Sequence, residues 1–365
     1  MAYVHCLNCK RPYPETGVPY RCPHCGGLFD FKIWPAVEVT RLQDDRPGIW
    51  RFGEALGLPP DAPEISLGEG NTPLVWDEYQ GKRVALKCEY LNPTGSFKDR
   101  GMATLLSFLR SRGVEAAIED SSGNAGAAFA AYAARAGVRA RVYVPDYAAG
   151  PKRRQIEAYG AEVVRILGAR SVVAEKARQA AAEGAVYASH AYQPYVLPGY
   201  ATLAYELYLQ LGCAPGSVVL PVGQGGLLLG IGRGFWALQQ AGVIDRLPAL
   251  IGVQAQACAP LWAMLAYGPA GEQWVTEGQT AAEGVRVRRP LRGDSVLRMV
   301  SASGGTFLAI EEELILPARD HLAQQGFYVE PTSALAWAAL PQILPRLPEP
   351  VVVVLTGAGL KHAGA

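Results

Sequence analysis

The arrangement of apolar runs along the 365-residue chain constrains its fold most strongly. Short, β-rich apolar runs occupy residues 84–88, 140–144, 163–167, 218–222, 250–253 and 351–355. Alanine-rich helical stretches lie between them at residues 125–136, 171–182 and 201–211. Near-continuous apolar strands that alternate with helices are typical of parallel sheets covered by helices, so we predict an α/β fold with parallel-rich sheets. A chain of this length suits two lobes and a small appendage.

The charge balance and the chain start restrict the class of partner. Lys and Arg total 34 against 33 for Asp and Glu, and the net charge of +1 gives no reason to expect nucleic acid or a membrane surface as partner. No apolar run approaches the roughly 20 residues that span a bilayer. The first residues lack the charged-then-apolar order of a signal peptide. We therefore predict a cytoplasmic protein that acts on a small molecule.

The first 35 residues carry two closely spaced cysteine pairs. Cys6-x-x-Cys9 precedes Cys22-x-x-Cys25, and two glycines follow the second pair. In a cytoplasmic chain such pairs indicate metal rather than disulfides, and two tight turns can complete a tetrahedral thiolate site. We predict a zinc ribbon that holds structural Zn²⁺; a degenerate ribbon that no longer holds metal is the alternative. The neighbouring His5 and His24 are predicted bystanders.

The segment with the most specific chemistry runs from Leu91 to Gly101 and reads LNPTGSFKDRG. A strand ends, a Pro/Gly loop follows, and a helix then begins near Lys98. Both the positive end of a helix dipole and partial burial lower the pKa of an amine, and a lysine that binds a carbonyl covalently needs a neutral amine. From the residues alone, an ordinary surface lysine on a turn is the better interpretation of Lys98.

Three further loops follow strands along the chain, and the first two of them open a helix. Residues 121–126 read SSGNAG, residues 221–227 read PVGQGGL, and residues 356–361 read TGAGLK. Small-residue loops that open a helix expose backbone N–H groups, which suit a carboxylate or a phosphate. The second loop matches neither a Rossmann fingerprint nor a P-loop. Each loop is also compatible with a tight structural turn.

Together, these four segments resemble the fold-type II pyridoxal-phosphate (PLP) enzymes, and most closely the threonine synthase family. The resemblance covers about residues 65–362 and implies PLP as the cofactor, with Lys98 as the lysine that binds it. It also implies that Asn124 contacts the cofactor ring oxygen, that Thr356 bonds the pyridine nitrogen, and that residues 330–334 lie near the ring. The remaining implied cofactor residues are Phe97, Gly223, Gln224, Gly225, Gly226 and Leu227. The implied substrate residues are Thr94, Ser121, Ser122, Gly123 and Ser189. The implied metal ligands are Cys6, Cys9, Cys22 and Cys25.

The resemblance also implies a domain division. Residues 1–35 would form the ribbon, residues 36–102 with 188–365 the large PLP-binding lobe, and residues 103–187 the small lobe. We expect a homodimer.

Two enzymatic activities remain open from the sequence. Threonine synthases convert O-phosphohomoserine and water to threonine and phosphate, and relatives of that family often carry a zinc ribbon. However, the positions where the family places Arg and Lys near the substrate phosphate hold Val196 and Ala201. Either Ser189, His190 or the basic residues 152–154 supply the charge, or the substrate carries no phosphate. A threonine or serine dehydratase, or a related β-replacing enzyme, is therefore the alternative. A binding protein whose lobes have lost catalytic activity fits less well, because all four cofactor segments are intact.

Overall fold

The structure is a computed structural model that describes residues 3–38, 45–147 and 150–361. In the described residues, the strands are β1 (Val4–Cys6), β2 (Phe29–Phe31), β3 (Leu74–Tyr79), β4 (Lys82–Lys87), β5 (Ala116–Glu119), β6 (Arg139–Pro145), β7 (Glu162–Ile166), β8 (Ser217–Pro221), β9 (Ala249–Ala255), β10 (Thr306–Ile310) and β11 (Val351–Val354). The helices are α1 (Lys98–Ser111), α2 (Asn124–Ala136), α3 (Pro151–Ala158), α4 (Arg170–Ala182), α5 (Val196–Leu211), α6 (Gly226–Gln240), α7 (Pro260–Tyr267), α8 (Gly293–Ala302), α9 (Glu312–Gln324), α10 (Pro331–Ala338) and α11 (Leu340–Ile343). Short 3-10 helices, the longest at Gly48–Leu56, connect some of them.

The chain divides into two compact units. Unit 1 comprises the described residues up to 69 and those from 98 to 200, and unit 2 comprises residues 70–97 and those from 201 to 361. The predicted division into a ribbon, a large lobe and a small lobe stays a prediction. No helix in the described parts of the chain is long and apolar enough to cross a membrane.

Unit 2 is built on a six-stranded sheet with the order β10-β9-β8-β11-β4-β3. All neighbours are parallel except β3 and β4, which form an antiparallel hairpin. Strands β8 and β11 are buried along their whole length. Because successive side chains point to opposite faces, this burial means that both faces of these central strands are covered. Helices α9 and α10 join the strands in one apolar core that includes Trp337 and Leu322.

Unit 1 contains a parallel three-stranded sheet, β5-β6-β7, and helices α1 to α4. A parallel bridge between Ile118 and Tyr187 extends this sheet beyond β5. The cysteine-bearing segment belongs to the same unit and forms the antiparallel pair β1-β2. Aromatic rings of the cysteine-bearing segment pack against residues 187–195. The ring centroids of Tyr20 and Tyr187 are 5.2 Å apart, and those of Tyr13 and Tyr195 are 5.7 Å apart.

The α/β fold predicted from the sequence is confirmed, and each predicted apolar run coincides with a strand. Strands β3 and β10 were not predicted. β3 is a half-exposed edge strand without a continuous apolar run, and its turn uses Gln80 and Gly81, both at positive φ. β10 is likewise an edge strand with partly exposed residues. Edge strands carry a weaker apolar signal because only part of their surface is buried.

Candidate active site

The carboxyl ends of β8 and β11 bring two of the predicted segments of unit 2 to the same sheet edge. The two strands are parallel neighbours, so the loop after Pro221 and the loop after Val354 emerge side by side. In parallel α/β sheets, ligands bind at the carboxyl ends of the strands. This edge of unit 2 is therefore the expected position of a ligand.

The loop that starts at Pro221 is shaped for an anion. Gly225 has a φ of +81°, and a Cβ there would lie 2.5 Å from Val296 Cγ2. A Cβ at Gly223 would lie 2.9 Å from Gly284 O, so neither position has room for a side chain. Helix α6 begins at Gly226 directly after this loop. The unpaired backbone N–H groups of that first turn and the helix dipole suit a phosphate.

Thr356 lies buried beside a second hydroxyl. Its Oγ1 is 3.1 Å from Ser333 Oγ, and Ser333 Oγ also accepts a 2.8 Å hydrogen bond from Gly357 N. Ser333 belongs to the first turn of α10, within the segment of residues 330–334 that was predicted to lie near the cofactor ring. The pair fixes the Thr356 hydroxyl at the end of β11.

The loop before Lys98 is tied to this hydroxyl pair from within unit 2. Phe97 N donates a 3.1 Å hydrogen bond to Thr356 O, and Lys361 Nζ donates a 2.6 Å hydrogen bond to Thr94 O. Ser96 forms an isolated bridge with Gly357. The Ser96 hydroxyl is buried, and the described residues offer it no hydrogen-bond partner. A buried polar atom of this kind calls for a partner that is not part of the protein chain.

In unit 1, helix α1 begins at Lys98, as the sequence predicted. The loop of residues 121–123 follows β5, and helix α2 begins at Asn124. Gly123 N donates to Ser121 Oγ over 3.2 Å, and a Cβ on Gly126 would lie only 1.8 Å from Ser121 O. The loop therefore folds tightly onto the first turn of α2, where backbone N–H groups suit a carboxylate.

Four ionisable side chains meet beside this loop at the carboxyl edge of the unit 1 sheet. His190 Nδ1 lies 2.7 Å from Glu119 Oε1, and Arg170 Nη1 donates to Asp120 Oδ2 over 2.8 Å. Glu119 is the last residue of β5, and His190 follows the short bridge formed by Tyr187. Of these four residues, only His190 was considered from the sequence, although two adjacent acids at the end of an apolar strand are a signal visible there.

Burial dominates the pKa values in this cluster. It raises the pKa of Glu119 well above the usual range, and the Asp120 carboxylate adds to that effect. It also lowers the pKa of His190 to about 3, and the Lys98 ammonium acts in the same direction. Burial would raise the pKa of Asp120 as well, but the Arg170 guanidinium outweighs it and the pKa is lowered. Asp120 is thus the ionised member of the cluster, and both Glu119 and His190 are held towards their neutral forms.

The two positions where basic residues were expected near a substrate phosphate are apolar. Val196 and Ala201 are buried, and Ser189 is buried with its hydroxyl 3.4 Å from Ala191 N. In the run of basic residues at 152–154, Arg153 forms an ion pair with Glu157 at 3.4 Å on the surface of α3.

The four predicted cysteine ligands come together in unit 1. Their sulfur atoms all lie within 4.8 Å of one another, with Cys6 Sγ 3.5 Å from Cys25 Sγ and Cys9 Sγ 3.6 Å from Cys22 Sγ. Two turns of the same kind build the cluster: Lys10 N donates to Cys6 O, and Gly26 N donates to Cys22 O. Four sulfurs at these separations fit the tetrahedral coordination of a metal ion.

The predicted site residues therefore fall into two sets. Lys98, Asn124, Ser189 and residues 121–123 lie in unit 1, whereas Thr94, Phe97, Thr356 and residues 223–227 lie in unit 2. Within each unit they lie at strand ends, helix starts or the loops between them. Their individual roles stay predictions.

Comparison with known proteins identifies the family. A family profile described as pyridoxal-phosphate dependent enzyme matches residues 65–357. The threonine synthase of Methanocaldococcus jannaschii is 33% identical, with 99% of this chain and 93% of the relative covered. That of Synechocystis sp. is 38% identical over 82% of this chain and 79% of the relative.

Solved structures agree on the fold. A T.th. threonine deaminase is 31% identical with a TM-score of 0.68, and the match covers 80% of this chain and 94% of the deaminase chain. A maize serine racemase has the same TM-score of 0.68 at 22% identity, covers 79% of this chain and 88% of its own, and supports the fold alone. This chain therefore belongs to the pyridoxal-phosphate dependent enzymes and, within them, to the threonine synthase family.

Proposed function

We propose that this enzyme is a threonine synthase, a lyase that converts O-phosphohomoserine and water to threonine and phosphate. The observation that carries the proposal is the match to the M. jannaschii threonine synthase, because it extends over 99% of this chain, the cysteine-bearing start included. The match also spans 93% of that relative, so the whole enzyme is compared rather than the PLP fold alone.

The residues of unit 2 fit PLP as the cofactor. Gly223 and Gly225 leave no room for a side chain at their positions, and the loop of residues 223–227 presents the start of α6 to a phosphate. The buried Ser96 hydroxyl calls for a partner from outside the protein chain. When bound, PLP supplies an electron sink that acidifies the Cα hydrogen of an amino acid.

Each of the other site residues has a role that its position supports. Lys98 holds the cofactor covalently and then carries the proton removed from Cα. Residues 121–123 orient the substrate carboxylate through backbone N–H groups at the start of α2. Thr356 Oγ1 lies 3.1 Å from Ser333 Oγ, either hydroxyl can donate in this contact, and Ser333 Oγ can also donate to Gly357 O over 3.1 Å. Thr356 is thereby positioned to bond the cofactor's ring nitrogen. A neutral hydroxyl does not hold that nitrogen protonated, which favours chemistry beyond Cα.

Steady-state kinetics test this proposal directly. The purified, PLP-loaded protein is assayed for phosphate release from O-phosphohomoserine and for 2-oxobutyrate formation from threonine. We expect kcat/KM for the first reaction to exceed that for the second by orders of magnitude. The reverse ranking assigns the protein to the dehydratases.

One structural observation favours a dehydratase as the second candidate. Val196 and Ala201 are buried apolar residues where threonine synthases are expected to place basic side chains. A phosphate dianion without paired cations is costly to desolvate. The 31% identity to a threonine deaminase points the same way. A dehydratase uses the same cofactor residues and needs no second phosphate site.

The cysteine cluster is proposed to hold one structural zinc ion. The separation of the sulfur atoms and the four-thiolate ligand set are those of zinc-ribbon sites. The small β1-β2 pair buries too few apolar residues to fold without a metal ion that cross-links it. A homodimer and a cytoplasmic location also stay part of the proposal.

A further inference from the structure

The Glu119–His190 pair lies at the same sheet edge as the loop that is proposed to bind the substrate carboxylate. Glu119 ends β5 and His190 follows the bridge beside β5, so both lie at the carboxyl edge of the sheet. The loop proposed to bind the substrate carboxylate begins two residues after Glu119. Lys98 lies close enough to act electrostatically on both members of the pair.

The two side chains differ in exposure, so His190 rather than Glu119 is the member of the pair that a ligand can reach. Glu119 is fully buried, whereas the His190 side chain is 16% exposed. Since Nδ1 is engaged by Glu119 over 2.7 Å, Nε2 on the far side of the ring is the nitrogen available to a ligand. Glu119 Oε2 is buried, and the described residues provide no hydrogen-bond partner for it.

The other charged groups around the pair do not force the Glu119 carboxyl group into its ionised form. Asp120 and Arg170 neutralise each other over 2.8 Å, and Lys98, whose charge also acts on Glu119, is used for the cofactor in the proposed function. Tyr187 adds a phenol beside Asp120. In the described residues, the ion-pair partner of Glu119 is His190, which is charged only when protonated, so the Glu119 carboxyl group can either hold or release a proton.

We propose that Glu119 and His190 form a proton relay that serves the oxygen at Cβ of the substrate. In the acid form, the Glu119 hydroxyl donates to Nδ1 and Nε2 carries a hydrogen. In the base form, Glu119 is ionised and accepts from Nδ1–H, and Nε2 has a free lone pair. The two forms differ by one proton, which passes through the imidazole.

The proton balance fits both directions of chemistry at Cβ. When water adds, its oxygen bonds to Cβ, Nε2 takes the water proton and the Nδ1 hydrogen moves to Glu119. When a β-hydroxyl leaves, the C–O bond breaks, Nε2 gives its hydrogen to the departing oxygen and Glu119 returns its proton to Nδ1. The relay rests on the proposed function, because it requires a reaction that makes or breaks a bond between Cβ and oxygen. Threonine formation and threonine dehydration both do so.

Burial supports this assignment of protons. It holds the pKa of Glu119 well above its usual range and lowers the pKa of His190 to about 3. The resting pair is then the acid form, with the proton on Glu119 and none in excess on the imidazole, and Glu119 releases that proton to solvent before Nε2 takes one from water. A buried pair of neutral groups also avoids the cost of burying two charges.

The test compares His190→Gln and Glu119→Gln with wild-type enzyme in D₂O. A Gln at position 119 still donates an N–H to Nδ1 but has no proton to pass on, so it separates positioning from relay. Exchange of the Cα hydrogen, followed by proton NMR on threonine, requires Lys98 and PLP but not the relay. Formation of threonine from O-phosphohomoserine and of 2-oxobutyrate from threonine requires all of them. His321→Gln, at an exposed residue of α9 in unit 2, is the matched control.

We expect His190→Gln to keep Cα exchange and to lose about 10²–10⁴-fold in kcat for product formation. Glu119→Gln should lose less and should no longer show the wild-type pH dependence of kcat. Nitrogen-15 NMR should find Nε2 of His190 protonated at neutral pH in wild type and in Glu119→Gln. The control should match wild type in every assay.

Equal losses of Cα exchange and product formation in His190→Gln would show a structural or binding role instead and would overturn the relay. Unchanged product formation in that variant would also overturn it while leaving the proposed function intact. A wild-type enzyme that exchanges the Cα hydrogen but forms neither product would overturn the proposed function and the relay together.

Discussion

The buried ion pair of unit 2 gives the sharpest stability prediction. Lys87 Nζ donates to Glu206 Oε2 and Thr72 O over 2.8 Å and to Gln210 Oε1 over 2.9 Å. The two charged side chains are 0% and 3% exposed. Lys87→Met keeps the apolar length of the side chain but removes the ammonium that faces the buried Glu206 carboxylate, whose Oε1 keeps its hydrogen bond from Asn71 N.

Removal of one partner of a buried ion pair costs about 3–5 kcal/mol of unfolding free energy. For a unit of this size that corresponds to a fall in Tm on the order of 10 °C. The double variant Lys87→Met/Glu206→Gln removes the stranded charge, so it should be less destabilised than the sum of the single changes, with a coupling of about 0.5–3 kcal/mol.

Urea unfolding and thermal melts of the PLP-saturated protein measure these changes. The surface pair of Arg141 and Glu162 joins side chains that are 48% and 59% exposed. Arg141→Ala is therefore the control and should cost about 0–1 kcal/mol. A loss below about 1 kcal/mol in Lys87→Met would refute the reasoning, because water or rearrangement would then be compensating the buried carboxylate.

Three predictions concern the cofactor and the metal. Lys98→Ala should stay folded and lose the covalent PLP, and peptide mapping after borohydride reduction of wild type should find the label on Lys98; a label on another lysine would contradict this assignment. Gly225→Asp should raise the Kd for PLP at least about tenfold, equivalent to 1.4 kcal/mol. The control Gly242→Asp, at a similar positive φ with open space around it, should leave the Kd unchanged. Equal PLP affinities of the two variants would refute the assignment of the phosphate loop. Metal analysis should find about one zinc per chain, absent after truncation of residues 1–35; metal that persists after truncation would place it elsewhere.

The main architecture could be predicted from the sequence because its strands are buried on both faces. A run such as residues 351–354 carries four valines, and such a run leaves few alternatives to a central parallel strand. The ends of those strands then located the loops at residues 221–227 and 356–361. The start of α1 at Lys98 was predicted for a similar reason, since a Pro/Gly loop precedes it.

The cluster at the edge of the unit 1 sheet could not be predicted in the same way. Glu119 and His190 are 71 residues apart, and their contact depends on the bridge between Ile118 and Tyr187. Arg170 reaches Asp120 from α4, 50 residues away. No local period or spacing in the sequence encodes which strand lies beside which, so the pairing becomes visible only in the folded unit.

The same reasoning explains why the substrate is harder to assign than the cofactor. The cofactor loops are backbone structures that glycine and small residues specify locally, as the tight contact of Gly225 with Val296 shows. A substrate side chain is recognised by side chains from several segments, and their charges depend on one another. Asp120 is ionised because Arg170 pairs with it, and that pairing leaves Glu119 and His190 to share a proton. The chemistry at this edge of the sheet is therefore a property of the cluster rather than of any single residue in it.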